Sequence, residues 1–483
     1  MKKLSSTVLR NSAVGVAAQF AIKALSFLFT VMVVRNLGPG VYGQYTGVLA
    51  FGAVFAIFSD LGLSIYTVRE VARWRDAADG RQRVERLYGN VLTLRLTLSV
   101  VTAGLLVVMA WLTGQPLDMV GAIALSSLGL VLYAVQGTSE AVLSGFERVD
   151  LSSGSRVLNQ LVFVALGAVV LWRGIGYYGL IVAGHIGVSL MTWTCWRGVR
   201  KLGLRPARPD PRQWWPLVRA SLPFGLIGFA LGLSYKFDSV LLTYRSQAET
   251  GLYNAVYNLV FSAAILSNAF NTALYPSLTR QAATHPESLP RIYARALRYL
   301  MVMALPIAAG IWALSDQLVP FLFGDKYAGA APALAIIIWV VPLMYASEFL
   351  GYVVLIAGKE RYVARSVLIS TACNVAANLV LVPIYGYMGA AVMTVVTEAI
   401  LVTQYLWLLR DLLRELDWGA MVLRPALAAA VMAGLVLVVR ADWPWPASVA
   451  LGAVVYAGLL VVLRVIGQDE VRFAKGLRSG EVG

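Results

Sequence analysis

The sequence predicts an all-α polytopic membrane protein with about fourteen transmembrane helices, and two observations lead to that fold class. The chain of 483 residues is 59% hydrophobic and only 13% charged, which is about half the charged fraction of a typical soluble domain. Its apolar residues form runs of about 20 to 29 residues, the length that an α-helix needs to cross a bilayer. Transmembrane strands would instead require short alternating runs, which the sequence does not show.

The predicted helices follow one another with short connections. The longest polar stretches, 69–88 and 198–216, have about 20 residues each, which is too short for an independent catalytic domain. The sequence therefore predicts a membrane protein throughout, and not an enzyme. The predicted helices cover approximately 9–34, 44–68, 89–112, 118–144, 151–172, 177–197, 217–244, 251–279, 295–315, 330–357, 363–383, 387–409, 421–440 and 445–466.

Lysine and arginine are distributed unevenly between the two sides of these helices. With the N-terminus in the cytoplasm, 31 of the 40 basic residues fall in cytoplasmic segments and five fall outside. This bias follows the positive-inside rule, and one missed helix would abolish it. We therefore predict fourteen helices with both termini in the cytoplasm. The net charge of +15 then reflects topology, so no nucleic-acid partner is expected.

The first six predicted helices recur in the next six. Because six is an even number, both copies insert with the same orientation, and the substrate site of such parallel repeats lies between them. We predict one lobe over 1–213, a second lobe over 214–412, and two extra helices with a cytoplasmic tail over 413–483. The landmarks match at offsets of 210 to 213: Lys23 with Lys236, Ser26 with Ser239, Thr30 with Thr243, Gly40-Val41-Tyr42 with Gly251-Leu252-Tyr253, and Gly176-Tyr177 with Gly386-Tyr387.

Four stretches resemble the polysaccharide-transport branch of the multidrug/oligosaccharidyl-lipid/polysaccharide (MOP) exporter superfamily. They are RNLGPGVYGQY after the first helix, DSVLLTYRSQAETGLYNAVYNL across helices seven and eight, and the turns SGFER and AGKER. The resemblance implies a V-shaped fold of two six-helix lobes around a central, often cationic cavity lined largely by helices 1, 2, 7 and 8. It also implies an O-antigen-type flippase of the bacterial cytoplasmic (inner) membrane, which moves undecaprenyl-pyrophosphate-linked oligosaccharide from the inner to the outer leaflet.

The partners implied are the lipid-linked oligosaccharide, the membrane lipids and the polysaccharide polymerase or chain-length machinery. No Walker A motif occurs, so ATP is not an expected substrate. No metal or other cofactor is expected, because the two histidines lack metal-ligand spacing, although coupling to H⁺ or Na⁺ stays open. The alternatives are a lipid II flippase of peptidoglycan synthesis and a multidrug/cation antiporter of the same superfamily, whose cationic substrate the two matching lysines would repel.

Lys23 and Lys236 are predicted to face each other across the cavity and to bind the pyrophosphate of the lipid carrier. A charge at the centre of a membrane helix costs roughly 2.5–3.5 kcal/mol, and its occurrence at equivalent positions of both repeats indicates a use. The ammonium group binds phosphate without a fixed geometry. The alternative is that Asp60 and Asp238 neutralise the lysines for structural reasons. Further predicted substrate-binding residues are Gln19, Ser26, Thr30, Ser239, Thr243 and Arg35, the last of which could instead reach the lipid headgroups.

Four deep ionisable residues are candidates for ion coupling: Asp60, Asp238, Glu398 and His185. Protonatable groups in a low-dielectric cavity can link transport to a proton or sodium gradient. The alternative for each is an interhelical hydrogen bond or ion pair. Two more carboxylates, Glu140 and Glu348, are expected to pair with the loop arginines Arg148 and Arg361.

Overall fold

The structure, a computed structural model, describes residues 2–414 and 417–465, with side chains from residue 22 onward apart from 227, 273, 276, 277, 283 and 286. Within these ranges every regular element is helical, which confirms the predicted all-α class. The first eight helices are α1 (Lys2–Asp60), α2 (Leu63–Trp74), α3 (Gly80–Leu112), α4 (Leu117–Gly145), α5 (Val149–Trp172), α6 (Tyr177–Lys201), α7 (Trp214–Arg245) and α8 (Gln247–Ser262). The others are α9 (Ala264–Thr284), α10 (Leu289–Phe323), α11 (Ala331–Ile337), α12 (Val340–Ile356), α13 (Glu360–Leu408), α14 (Arg410–Leu413), α15 (Arg424–Val439) and α16 (Trp445–Val462).

The predicted spans correspond to these helices, although several of them are joined or divided. Nine helices of the described chain are long and apolar enough to cross a membrane, or up to eleven if two bent pairs each form one span. Gly38 (φ 72°) and Gly386 (φ 60°) have non-helical backbone conformations, so α1 and α13 each consist of two helices that meet at a kink, and each kink falls between two predicted segments. The segment 44–68 continues past the end of α1 into α2. The segment 251–279 is divided between α8 and α9. All fourteen predicted segments thus fall on helical elements, and the protein is a multi-pass membrane protein.

Large apolar side chains remain exposed along the helices. On α3, Val100, Leu105, Trp111 and Leu112 each expose more than half of their surface. In water, a contiguous apolar surface of this kind would be a liability. In a bilayer, hydrocarbon is the solvent for these side chains, so their exposure agrees with membrane insertion.

The chain divides into two compact units. The first comprises Met1–Asn254 and Val375–Tyr387, and the second comprises Ala255–Asn374 and Met388–Gly483. The boundaries of the two compact units depend on how the helices pack. The boundary between the predicted lobes depends instead on the internal repeat, whose second copy begins with α7. The lobe boundary at 213 stays a prediction.

In the second unit, α15 and α16 pack against α10. Arg440 forms an ion pair with Asp316 at 2.9 Å and donates to the carbonyl of Ala313 at 2.6 Å. The hydroxyl of Tyr456 on α16 donates to the carbonyl of Val302 at 3.0 Å. These contacts attach the two helices that have no counterpart in the repeat.

Within the first unit, glycines allow α1 and α8 to meet at backbone distance. A methyl group on Gly43 would lie 1.7 Å from the carbonyl oxygen of Gln247. A methyl group on Gly251 would lie 1.9 Å from the carbonyl oxygen of Pro39. Only glycine fits at either position, so the GPGVYG and ETGLY motifs of the two repeats form one tight crossing.

A second close contact joins α7 to the break between α1 and α2. The break is made by Leu61 (φ 47°) and Gly62 (φ 80°), a backbone conformation that favours glycine. A methyl group on Gly62 would lie 2.4 Å from the backbone nitrogen of Gly225 and 2.5 Å from the carbonyl oxygen of Ser221. Of the helices that carry the predicted site, α1 is therefore held against α8 at Gly43, and α7 is held against the end of α1 at Gly62.

Candidate functional site

The two lysines of the repeat lie in the first compact unit, on α1 and α7. The side chain of Lys23 is exposed, whereas that of Lys236 is partly buried. The carboxylate of Asp238 attracts the Lys236 ammonium electrostatically. The two lysines thus differ in their surroundings, and their joint role in binding pyrophosphate stays a prediction.

Asp238 is held in a buried polar contact between α7 and α8. Its side chain is only 1% exposed, accepts a hydrogen bond from the hydroxyl of Tyr253, and accepts a second from the backbone N–H of Ser239 at 2.6 Å. The hydroxyl of Ser239 in turn donates to the side-chain oxygen of Asn254 at 3.1 Å. This is the interhelical hydrogen bond that formed the alternative to ion coupling for Asp238.

The other predicted substrate-binding residues differ in exposure between the two helices. On α1, Ser26 and Thr30 are partly buried, and the Thr30 hydroxyl donates to the Ser26 carbonyl at 2.8 Å. On α7, Thr243 is buried and accepts a hydrogen bond of 3.3 Å from Gln115, which lies between α3 and α4. Ser239 is fully buried as well, Arg35 is exposed, and the side chain of Gln19 lies outside the described residues.

Asp60 forms a partly buried ion pair whose partner is an arginine, not a lysine. Its carboxylate lies 2.9 Å from the guanidinium of Arg95 on α3, which is 5% exposed. Arg95 also donates to the hydroxyls of Ser64 at 3.0 Å and Thr138 at 3.2 Å. Through these contacts Arg95 connects the end of α1 with α2, α3 and α4. Such an interhelical ion pair was the alternative to ion coupling for Asp60.

Glu398 lies in the second unit beside another carboxylate. It accepts a hydrogen bond from the hydroxyl of Ser347, and Glu348 is close enough to repel it. Glu348 lies near Ser267 and Asn271 of α9, and within the described residues its buried Oε2 accepts no hydrogen bond. Within the described part of the chain, neither glutamate forms an ion pair with a basic side chain, so the predicted partner of Glu348, Arg361, is wrong.

The expected partner of Glu140 is also wrong. Glu140 on α4 forms an ion pair with Arg156 on α5. Arg148 instead makes two hydrogen bonds of 3.0 Å to Asp150. Arg156 lies two helical turns into α5, and the packing of α5 against α4 brings it to Glu140. Arg148 lies in the turn before α5 and does not reach Glu140.

His185 lies on the wall of a cavity of about 370 Å³ inside the first unit. Its Nε2 is 2.8 Å from the carbonyl oxygen of Leu125, and because a carbonyl only accepts, Nε2 carries the proton. Tyr133 and Asn159 line the same cavity among mostly apolar side chains. Among the described residues, no group of three or more His, Cys, Asp or Glu side chains could hold a metal ion.

Comparison with solved structures shows which proteins share this fold. The structure titled "Lipid II flippase MurJ, inward closed conformation" has a TM-score of 0.79 at 11% identity, and the match covers 94% of this chain and 99% of that one. An inward-facing multidrug resistance MATE family transporter of the MOP superfamily has a TM-score of 0.61 at 15% identity, covering 82% and 98%. The fold is that of the MOP superfamily.

The family itself follows from the sequence. A family model described as "Polysaccharide biosynthesis protein" matches residues 8–281, which is more than half of the chain, and the chain belongs to this family. The "Probable low-salt glycan biosynthesis flippase Agl15" of Haloferax volcanii is 20% identical over 381 residues, 78% of each chain. The membrane protein MJ1068 of Methanocaldococcus jannaschii is 21% identical over 439 residues, 82% of each chain.

Proposed function

We propose that this protein is a flippase for lipid-linked oligosaccharide. The substrate is an O-antigen or exopolysaccharide repeat unit on undecaprenyl pyrophosphate, which moves from the inner to the outer leaflet of a bacterial cytoplasmic membrane while both termini stay in the cytoplasm. The observation that carries the proposal is the lysine at the same position of each repeat, Lys23 and Lys236. Membership of the polysaccharide biosynthesis family and the flippase name of the archaeal relative support it.

The charge of the substrate explains the two lysines. A pyrophosphate cannot cross hydrocarbon without compensation, because an uncompensated charge there is expensive. Two ammonium groups would neutralise it during passage, and the hydroxyls of Ser26, Thr30, Ser239 and Thr243, with Gln19, would bind sugar hydroxyls. Arg35, at the outer end of its predicted span, would receive the pyrophosphate before release. Alternating access of the two predicted lobes would then expose the site to one leaflet at a time.

Replacement of the lysines tests this site. We expect Lys23→Gln and Lys236→Gln each to reduce transport about 10- to 100-fold, since a hydrogen bond to a charged group contributes about 1.5–3 kcal/mol, and the double variant to abolish it. Transport is measured as surface polysaccharide restored to a deletion strain, with membrane levels checked by immunoblot. The arginine variants Lys23→Arg and Lys236→Arg keep the charge and serve as controls with partial activity. A fully active double glutamine variant would refute the site.

A second candidate function is lipid II transport, which the extensive structural match to a lipid II flippase favours. Lipid II carries the same pyrophosphate, so the lysines do not distinguish the two substrates. The two functions are separated by asking whether the protein sustains growth when the host lipid II flippase is depleted. A multidrug/cation antiporter fits the MATE fold, but the two lysines would repel its substrate.

We also propose that Glu398, with Glu348, couples transport to H⁺ or Na⁺. Asp60 is paired with Arg95 and Asp238 is bonded to Tyr253, and His185 bonds a backbone carbonyl. Two adjacent carboxylates in a low-dielectric site cannot both stay ionised without a counter-charge, so such a pair retains a proton or binds a cation.

Glu398→Gln tests the coupling. In proteoliposomes with an imposed proton or sodium gradient, we expect the wild type to respond to one gradient and the variant to lose that response while still binding substrate. Glu140→Gln removes a glutamate that is paired with Arg156 and is the matched control. A wild-type transport rate independent of both gradients would exclude coupling by any of these residues.

A further inference from the structure

A cleft of about 350 Å³ lies in the first unit, between the first turns of α5 and the last turns of α6. Trp193, Arg197 and Lys201 follow one another at intervals of four on the α6 wall, so they form one row along the helix axis. Leu158 lines the α5 wall. Because α6 is a membrane span that ends at Lys201, the row runs from the hydrocarbon to the headgroup region.

The basic end of this cleft has uncompensated positive charge. The guanidinium of Arg197 lies 4.7 Å from the ring centre of Trp193, a cation–π contact that holds it over the cleft. Lys201 is exposed, and in the described part of the chain neither basic residue takes part in an ion pair. The one carboxylate on the cleft, Asp150, already accepts two hydrogen bonds of 3.0 Å from Arg148.

The other end of the cleft is apolar. Trp193 is 48% exposed and Leu158 is 36% exposed, so both present apolar surface to the bilayer. Between the two ends, the hydroxyl of Thr194 donates to that of Ser155 at 2.9 Å. The cleft therefore changes from apolar through hydroxyl-lined to cationic in the direction of the membrane normal, as a phospholipid changes from acyl chain through glycerol to phosphate.

We propose that this cleft binds an anionic phospholipid. The phosphate contacts Arg197 and Lys201, the glycerol lies near Ser155 and Thr194, and one acyl chain covers Trp193. A basic pocket between membrane helices at the headgroup level is the kind of site that binds anionic lipid headgroups. The binding is independent of the substrate that the protein transports.

The corresponding cleft of the second unit supplies a contrast. It has a volume of about 190 Å³ and is also lined by a tryptophan and basic residues, among them Trp407, Lys359 and Arg410. There the ammonium of Lys359 donates to the carbonyl of Leu408 at 3.0 Å, and Arg410 lies 3.9 Å from Asp411. Because Lys359 and Arg410 already have these partners, we expect the second cleft to bind no lipid phosphate.

Native mass spectrometry of the full-length protein in detergent tests the proposal. Dioleoylphosphatidylglycerol is titrated against the wild type and the variant Arg197→Gln/Lys201→Gln. We expect one tightly retained lipid on the wild type and an affinity roughly 25-fold lower in the variant, since each basic residue near an anionic membrane surface contributes about fivefold. Arg200→Gln is the matched control, because Arg200 stacks at 5.0 Å on Trp196 of the same helix but does not line the cleft.

Three results would overturn the proposal: equal lipid retention by the wild type and the double variant, equal retention of dioleoylphosphatidylcholine, or displacement of the lipid by millimolar inorganic phosphate. Gel filtration shows whether the double variant is folded. If it is not, the single variants Arg197→Gln and Lys201→Gln are titrated in its place. Each is expected to lose about fivefold in affinity, and unchanged affinity in both would count against the site.

Discussion

At the scale of single residues, Arg95 is a buried charge in the first unit that depends on partners from several helices. Its guanidinium is buried, bonds three side chains on three helices and lies against Gly137, where a methyl group would come within 2.9 Å of it. Breaking a fully buried ion pair costs about 3–5 kcal/mol, but the side chain of Asp60 is 25% exposed, so solvent would partly compensate the charge that remains. We therefore expect Arg95→Ala to lower the free energy of unfolding by about 2–3 kcal/mol, measured by denaturant titration in detergent.

The control for this prediction is Arg173→Ala, which removes an arginine stacked on Trp172 at the exposed end of α5 and should cost no more than about 0.5 kcal/mol. The double variant Asp60→Asn/Arg95→Gln removes both charges and should therefore be more stable than Arg95→Ala, with a free energy of unfolding closer to that of the wild type. An Arg95→Ala protein as stable as the wild type would mean that the pair contributes nothing to the fold.

The sequence predicts the positions of charges at this scale better than their partners. Lys23 and Lys236 can be identified from the sequence because they occupy equivalent positions in the two repeats. The partner of Asp60 depends on the rotation of α3 about its own axis, which hydropathy does not determine. A signal existed nonetheless: Asp60 and Arg95 lie at similar distances from the cytoplasmic ends of neighbouring predicted spans. The same limitation explains why Glu140 pairs with Arg156 instead of Arg148.

At the scale of helices, the crossing of α1 and α8 is the contact most sensitive to side-chain size. Gly43→Ala would place a methyl group 1.7 Å from the carbonyl oxygen of Gln247, which is backbone and cannot turn away. We expect the two helices to be forced apart at a cost of about 1–3 kcal/mol, with a lower melting temperature and reduced transport. Thermal unfolding in detergent measures the first effect.

Gly40→Ala is the control for this crossing, because no atom lies within 4 Å of the added methyl group and Gly40 is in the same turn. Equal melting temperatures for the two variants would show that α1 and α8 are not in backbone contact. Gly251→Ala, on the opposite helix, should behave like Gly43→Ala, since its methyl group would meet Pro39.

Helix boundaries show where hydropathy fails as a predictor. It predicts apolar segments that fall on helices, because burying apolar residues in lipid is a strong requirement, although only nine to eleven helices of the described chain are long and apolar enough to cross a membrane. It does not show the break at Leu61 and Gly62, which divides the predicted segment 44–68 between α1 and α2, because two residues of positive φ leave the apolar pattern of the sequence unchanged.

At the scale of the whole molecule, we propose that the protein moves a lipid-linked oligosaccharide across the membrane. The fold is shared with solved structures of the MOP superfamily, and the chain belongs to the polysaccharide biosynthesis family. The proposed role of Lys23 and Lys236, at matching positions of the two repeats, would connect the two, because ammonium groups suit an anionic lipid carrier. The glycan itself depends on contacts that neither the fold nor the repeat determines.

The most direct measurement is the lipid extract of a deletion strain, analysed by mass spectrometry for glycan-loaded undecaprenyl pyrophosphate. We predict that this lipid accumulates on the cytoplasmic leaflet, that surface polysaccharide disappears, and that the wild-type gene reverses both effects. The mass of the accumulated lipid then identifies the glycan. Normal carrier lipids combined with greater sensitivity to cationic drugs would contradict the account and indicate a multidrug exporter.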